Sequence, residues 1–465
     1  MLDEMGRAIE SFTDSDMLFA DIRQENRDTS YLRVSNGTLE EFSQAGRAGT
    51  VARALVGECW GQASTTKQLD KAGFQELVEE ALKRAKISAK YSRKDIDLSN
   101  IPSIEKSVWQ KVKEDPVDVS TEEKLQLVMD LNEAQRIDDR VVNRISVYQD
   151  SKREYTLANS NGSRLEWDEM RLTLAAQSVA KEGSRVEFNY EVKDGSMGYE
   201  LVRDVDVDKF GEKCANDAIA LLSAGKPPSG LLTVVIDGDI AGLVAHEVCG
   251  HASEADEVVK GRSFLTNLVG VEVGTELVTM VDDGTRSHLS GSLPFDSEGT
   301  PTSKTLIIDQ GIFKGYLHTL ETSVLMGVKP TGNGRAQDYN RRIFARMTNT
   351  FFDVPSKNAW SNDEIIEDTK DGLYVRKATS GMEDVVGGGV QCSALTGYII
   401  KNGEKQEMVR GMTLAGKVLD ILKTVDAVGD SFQFSGGTCG KGEEDYIPVS
   451  SGGPHMRAQM VVGGG

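Results

Sequence analysis

The chain has 465 residues, 39% of them hydrophobic and 27% charged, a composition that folds and leaves no excess of polar sequence for disorder. Its 53 Lys and Arg face 73 Asp and Glu, a formal net charge of −20, and so acidic a surface argues against nucleic acid or anionic lipid as a partner. The length suits two domains better than one core, and the five cysteines (59, 214, 249, 392 and 439) are odd in number and widely spaced, unlike a disulfide framework.

The acidic start Met1-Leu-Asp-Glu-Met5 lacks the character of an export signal. The most apolar stretch, Leu231 to Ala245, is interrupted by Asp237 and Asp239, so no membrane span is expected. These features predict a cytoplasmic protein. From Met17 to Trp60 the pattern is β, with Asn36-Gly37 turning a hairpin between Tyr31–Val34 and Thr38–Phe42. Phe74, Leu77, Val78, Ala81, Leu82 and Ala85 fall on one face of a helix. A second helix begins at Ser120, whose hydroxyl caps the first turn while Glu123 reaches back.

Another meander follows, with stretches at Val141–Gln149, Tyr155–Ala158, Leu165–Trp167 and Arg171–Ser178 around the Asn161-Gly162 turn. Two meanders with Asn-Gly turns, each beside a helix, hint at a duplicated unit. Phe210 to Leu222 is a third helix, and Ala224-Gly-Lys-Pro-Pro-Ser-Gly230 behind it reads as a linker. The expected fold is α+β in two domains. Residues 1–223 form an N-terminal sheet-and-helix domain, and residues 224–465 a mainly antiparallel or barrel-like β domain with one helix near Leu414–Val425.

The chemistry concentrates in His246-Glu247-Val248-Cys249-Gly250-His251. With five histidines in the whole chain, chance supplies a His-Glu-x-x-x-His string in roughly one of 200 such chains. Histidines four apart share a helix face, whereas five apart are splayed by about 140°. Both can still meet one metal if the helix bulges or breaks near Gly250. Glu247 is then placed to take a proton from a metal-activated water as general base.

A catalytic zinc site takes three protein ligands and leaves one position open. The third ligand is open among Cys249, Glu254, Asp256 and Cys439. A thiolate between the histidines binds only by turning inward, so packing suits Cys249 better. Glu254 and Asp256 suit a supporting role, orienting a ligand imidazole. Cys439 sits among Gly436, Gly437 and Gly440, with Lys441 beside it to favour the thiolate. Tyr316, His318, Arg335 and Tyr339 are candidates to donate to the oxyanion. Gly387-Gly-Gly389 lacks a following helix with a basic residue and makes a poor phosphate loop; it could let a peptide backbone approach closely.

Nearly the whole chain resembles the TldD/PmbA family, in its TldD-like branch that keeps the His-Glu-x-x-x-His motif. The likeness rests on His246-Glu-Val-Cys-Gly-His251-Ala-Ser-Glu254-Ala-Asp256, Val281-Asp-Asp-Gly-Thr285 and Asp296-Ser-Glu-Gly-Thr-Pro301. Gly332-Asn-Gly-Arg335, Arg346-Met-Thr-Asn-Thr350, Gly397-Tyr-Ile-Ile-Lys-Asn-Gly403 and Thr438-Cys-Gly-Lys441 extend it. The resemblance implies a zinc metallopeptidase with His246, His251 and Cys439 as ligands, acting on unfolded or flexible peptides. It also implies a homodimer, or a heterodimer with a PmbA-like subunit. The alternative is a non-catalytic peptide-binding subunit of such a complex. Val-Cys inside the motif and Gly-Glu-Glu-Asp445 after Cys-Gly-Lys depart from the family's usual pattern.

Overall fold

A computed structural model describes residues 1–12, 16–91 and 95–464, and every side chain there except that of Val248. Helix α1 (Leu2–Glu10) precedes strands β1 (Phe19–Ser35), β2 (Thr38–Val56) and β3 (Cys59–Thr65) and helix α2 (Lys71–Ala89). After β4 (Glu105–Val108) the same order returns: α3 (Thr121–Ala134), β5 (Val141–Asn159), β6 (Arg164–Glu182), β7 (Arg185–Gly195), α4 (Glu200–Arg203) and α5 (Val207–Ser223). The duplication hinted at by the two Asn-Gly turns is therefore visible as two helix-strand-strand-strand-helix units. They share one sheet of order β3-β2-β1-β5-β6, with β7 and β4 both on β6. β1 and β5 pair antiparallel from Asp21↔Asn159 to Ser35↔Ile145.

Each predicted turn is present, with Asn36 at φ 47° and Gly37 at φ 79° in the first hairpin, the left-handed values that Asn and Gly accept most readily. The Ser120 hydroxyl caps α3 by accepting from the Glu123 N–H at 3.1 Å, but the Glu123 carboxylate pairs with Arg203 instead of reaching back. The strands outrun their predicted lengths. Asp150 to Glu154 reads as a polar break, yet it stays in the ladder. Its buried charges have partners: Lys124 Nζ lies 2.8 Å from Asp150 Oδ2, and Arg153 3.6 Å from Glu25.

The helices cover one face of this sheet. Phe74, Val78 and Ala81 of α2 pack on Ala20, Ile22 and Ala52, while α3 and α5 cover Leu32, Val34, Tyr148 and Leu174. Residues of the alternate register, including Arg23 and Arg153, point to the opposite face. There they hydrogen-bond the second domain, Arg23 to the Ser297 carbonyl at 2.7 Å and Arg153 to that of Gln337 at 3.1 Å.

The second domain opens with β8 (Gly230–Ile236), helix α6 (Gly238–Ala245) and the short α7 (Ala255–Val258). Strands β9 (Met280–Asp283), β10 (Lys304–Asp309), β11 (Ile312–Phe313), β12 (Gly334–Arg335), β13 (Phe344–Ala345) and β14 (Asn349–Phe352) follow. The last seven are β15 (Asp371–Asp384), β16 (Gly389–Lys401), β17 (Glu404–Lys417), β18 (Ala427–Val428), β19 (Gln433–Lys441), β20 (Glu444–Gly453) and β21 (Met456–Gly464).

They make a sheet of order β17-β16-β15-β8-β21, closed into a barrel by a further β17–β21 pairing. A second sheet runs β11-β10-β9-β14-β20-β19 and ends on β19. The helix expected over Leu414–Val425 shrinks to Val418–Leu422, because Met412 to Ala415 are held in β17 by the pairing that closes the barrel. α6 lies in the apolar core between the sheets. It approaches β20 so closely that a Cβ on Gly242 would come 2.3 Å from the Gly452 nitrogen. Among the described residues no helix is long and apolar enough to cross a membrane.

Candidate metal centre

The Asp237 carboxylate caps α6 by accepting the Ile240 N–H at 3.0 Å. After Ala245 the helix widens into a π turn over His246–Gly250, and the His251 N–H bonds the His246 carbonyl five residues back. That extra residue per turn brings the two imidazoles together, with ring centroids 4.9 Å apart. The predicted distortion is thus present. Gly250 itself has ordinary helical angles (φ −56°, ψ −64°), so backbone freedom is not why glycine stands there. A Cβ would meet Met347 Sδ at 2.2 Å.

Cys439 reaches the same point from β19. Its Sγ lies 3.1 Å from His246 Nε2 and 3.2 Å from His251 Nε2, and all three residues are buried. Burial would raise the thiol's pKa, but the His246 charge and hydrogen bonds from both histidines outweigh it and bring it down to about 5. Against the effect of burial, the thiolate in turn lifts His246 above its ordinary value, and Glu254 first and then the thiolate lift His251. Tetrahedral zinc places its nitrogen and sulfur donors about 3.5 Å apart. The two nitrogen–sulfur separations here need to widen by only a few tenths of an ångström, and the donors' chemistry suits zinc.

His251 presents its other nitrogen, Nδ1, to Glu254 Oε2 at 3.3 Å, as a metal-ligating imidazole does. Burial disfavours the Glu254 charge, yet Lys441, His251 and Arg346 hold its carboxyl well below the usual range. Lys441 Nζ donates to Glu254 at 2.9 Å and to Asp256 at 2.6 Å. The lysine therefore anchors the two carboxylates, and the histidines rather than Lys441 favour the thiolate. Arg346, fully buried, ties Glu254 (3.6 Å) to Glu444 (3.2 Å) and donates to the Cys439 carbonyl at 2.7 Å. Cys249 lies in the apolar core, its thiol pushed up to about 12 by burial.

The cluster sits in a cavity of about 780 Å³ between the domains, walled by β7, β15 and β19. Asp239 joins two of the walls, accepting from Ser435 Oγ of β19 at 2.5 Å and the Ala378 N–H of β15 at 2.8 Å. Lys377 of β15 bonds Asn189 Oδ1 of β7 at 2.8 Å. Glu247 lines the cavity and approaches β15 at Gly381, where a Cβ would fall 2.4 Å from its Cγ. Its carboxyl is pushed up to about 7 by burial, against the opposing charge of His246, and a hydrogen bond to Glu383 adds to the rise. Glu383 has no spacing relation to the motif that sequence could reveal.

Tyr316, His318, Arg335 and Tyr339 do not line this cavity, a correction to their candidacy as oxyanion donors. The Tyr316 hydroxyl donates to the Leu265 carbonyl at 2.7 Å. His318, lowered to about 4 by burial, faces Thr322 Oγ1 at 3.3 Å. Arg335 is spent on the carbonyls of Met347 (2.5 Å) and Pro448 (2.7 Å), and Tyr339 packs under Arg47 at 5.4 Å. Gly387 and Gly388 belong to the β15–β16 turn, where Asp384 accepts their N–H groups. The glycine of β15 that a site residue approaches closely is Gly381, against the Glu247 side chain.

Three models of the PmbA/TldA metallopeptidase match the chain: domain 1 over residues 20–85, the central domain over 114–222 and the C-terminal domain over 229–464. The chain belongs to this PmbA/TldD metallopeptidase family. A metalloprotease of Methanocaldococcus jannaschii is 36% identical over 96% of each chain, and one of Methanothermobacter thermautotrophicus 34% identical over 96% of this chain and 95% of that one. Among solved structures, a Thermotoga maritima protein superposes with a TM-score of 0.80 at 21% identity, covering 99% of both chains. TldE from Thermococcus kodakarensis gives 0.75 at 19%, covering all of both. The family and the two-histidine, one-cysteine donor group define a metallopeptidase.

Proposed function

We propose that the chain hydrolyses unfolded or flexible peptides as a zinc peptidase, with His246, His251 and Cys439 holding the metal and Glu247 as general base. The observation that carries this reading is the convergence of those three donor atoms beside Glu247 in one interdomain cavity. A zinc ion held there supplies a Lewis acid for the scissile carbonyl and the attacking water. Glu247 takes the proton at its carboxylate and returns it to the leaving amine, a task suited to a carboxyl whose pKa stands near neutrality. Glu254, fixed by Lys441, which Asp256 holds in turn, keeps His251 in the orientation the metal needs.

The peptide lies extended along a strand edge. Among the described residues β19 is the last strand of its sheet, and β15 beyond Val375 pairs only with β16. Both border the cavity with an edge not paired to another strand, although Asp239 and Asp194 already take the Ala378 and Gly436 N–H groups, and such an edge favours recognition of main chain over side chains. A substrate-analogue complex with a helical peptide would contradict that mode. The reading takes residues 1–223 and 224–465 as the two domains and includes pairing with a second copy or a PmbA-like subunit, which family membership supports. Glu247→Gln tests the chemistry: zinc stays bound while turnover of an unstructured peptide falls by about 10²–10⁴-fold. Undiminished turnover with zinc retained defeats the mechanism.

A further inference from the structure

A second cavity, of about 590 Å³, adjoins the metal cleft and shares Val192, Asp194, Gly436, Gly437 and Thr438 with it. Its character reverses that of the acidic chain, because Arg27, Arg153 and Arg171 all line it. Two of these guanidinium groups have carboxylate partners: Arg153 lies 3.6 Å from Glu25, and Arg171 2.6 Å from Glu169. Arg27 is different. It bonds the Ser151 hydroxyl at 3.3 Å, and no ion pair to it exists among the described residues. Burial first, and then the charge of Arg153, lower its pKa to about 10, as expected of a cation short of counter-charge.

Arg171 adds a second unmet demand. Its Nε donates to the Ser290 carbonyl at 2.6 Å and its Nη1 to Glu169, while Nη2 is buried with no hydrogen-bond partner among the described residues. A buried donor of this kind is costly unless a ligand satisfies it. The one further carboxylate on the wall, Asp194, already accepts from Ser290 Oγ and the Gly436 N–H. Three guanidinium groups therefore face one carboxylate on the wall of a chamber that opens onto the cleft along β19. At about 3.3 Å per residue, Gly436 stands roughly 10 Å along the strand from Cys439.

We propose that this arginine chamber is a subsite for a carboxylate of the bound peptide, either its C-terminal group or an acidic side chain about three residues from the scissile bond. The proposal rests on the peptidase reading for its occupant, and the test is a binding measurement that needs no turnover. Zinc-loaded full-length protein carrying Glu247→Gln is titrated with a labelled unstructured peptide in three forms: free C-terminus, C-terminal amide, and internal Glu replaced by Gln.

One carboxylate is expected to tighten binding about tenfold, and whichever form loses that tightening identifies the source. Adding Arg27→Gln brings the ratio close to one, Arg27→Lys preserves most of it, and high salt shrinks it. A ratio near one in the parent protein, or one that Arg27→Gln leaves intact, overturns the proposal. Failure of the wild-type chain to cleave any of the peptides would instead count against the peptidase reading, while the binding ratio still reports on the chamber.

Discussion

Cys249 and Cys439 are both buried thiols, and comparing their surroundings explains why one joins the two imidazoles and the other does not. Cys249 is inside the motif, two residues from His251, yet it points into an apolar core that leaves it a neutral thiol. Cys439 is 188 residues from His251 but meets both imidazoles. Nearness along the chain decides little; what matters is that the π turn aims two ring nitrogens at the edge strand β19. Behind Cys439 stand Lys441, Glu254, Asp256, Arg346 and Glu444, a charged network, whereas Cys249 packs in the apolar core.

The largest expected contrast is in acidity. In metal-stripped protein, thiolate absorbance gains a step near pH 5 from Cys439, while Cys249 stays protonated until about pH 12. Because the Cys439 pKa is lowered, its thiolate persists above pH 5. Loss of zinc affinity between neutral pH and that point then comes from the histidines, whose raised pKa values make them hold protons that zinc must displace. Calorimetry in buffers of different ionisation enthalpy measures that release. Cysteine reagents that label Cys249 at neutral pH as fast as Cys439 would erase the contrast.

Next in size is the network. Arg346→Met leaves Glu254 and Glu444 buried without their shared cation and is expected to cost about 3–5 kcal/mol in urea unfolding. Lys441→Met is milder. It releases Glu254 and Asp256, so His251 is held less firmly and zinc affinity, measured against a competing chelator, weakens by about 10–100-fold. An unchanged affinity would reduce Lys441 to a packing role.

Much of this was legible in the sequence. Helix faces followed from apolar spacing, both hairpins from Asn-Gly pairs, and the distorted helix from the five-residue histidine interval. The limits have physical causes. Asp150 to Glu154 conceals a continuous strand because its charges find partners on other strands and on α3. Leu414 conceals barrel closure, since pairing with β21 is a contact remote in sequence. Glu383 and Arg346 join the site through tertiary packing alone. Tyr316, His318, Arg335 and Tyr339 have suitable chemistry, but nothing in their spacing discloses that main-chain carbonyls and core neighbours already occupy them.

The most direct test of the account is the zinc content of purified Cys439→Ser set beside Cys249→Ser and wild type. We expect one zinc per chain in wild type and in Cys249→Ser, and almost none in Cys439→Ser. Unchanged zinc content and coordination in Cys439→Ser would contradict the account and move the third ligand to Glu254 or Asp256.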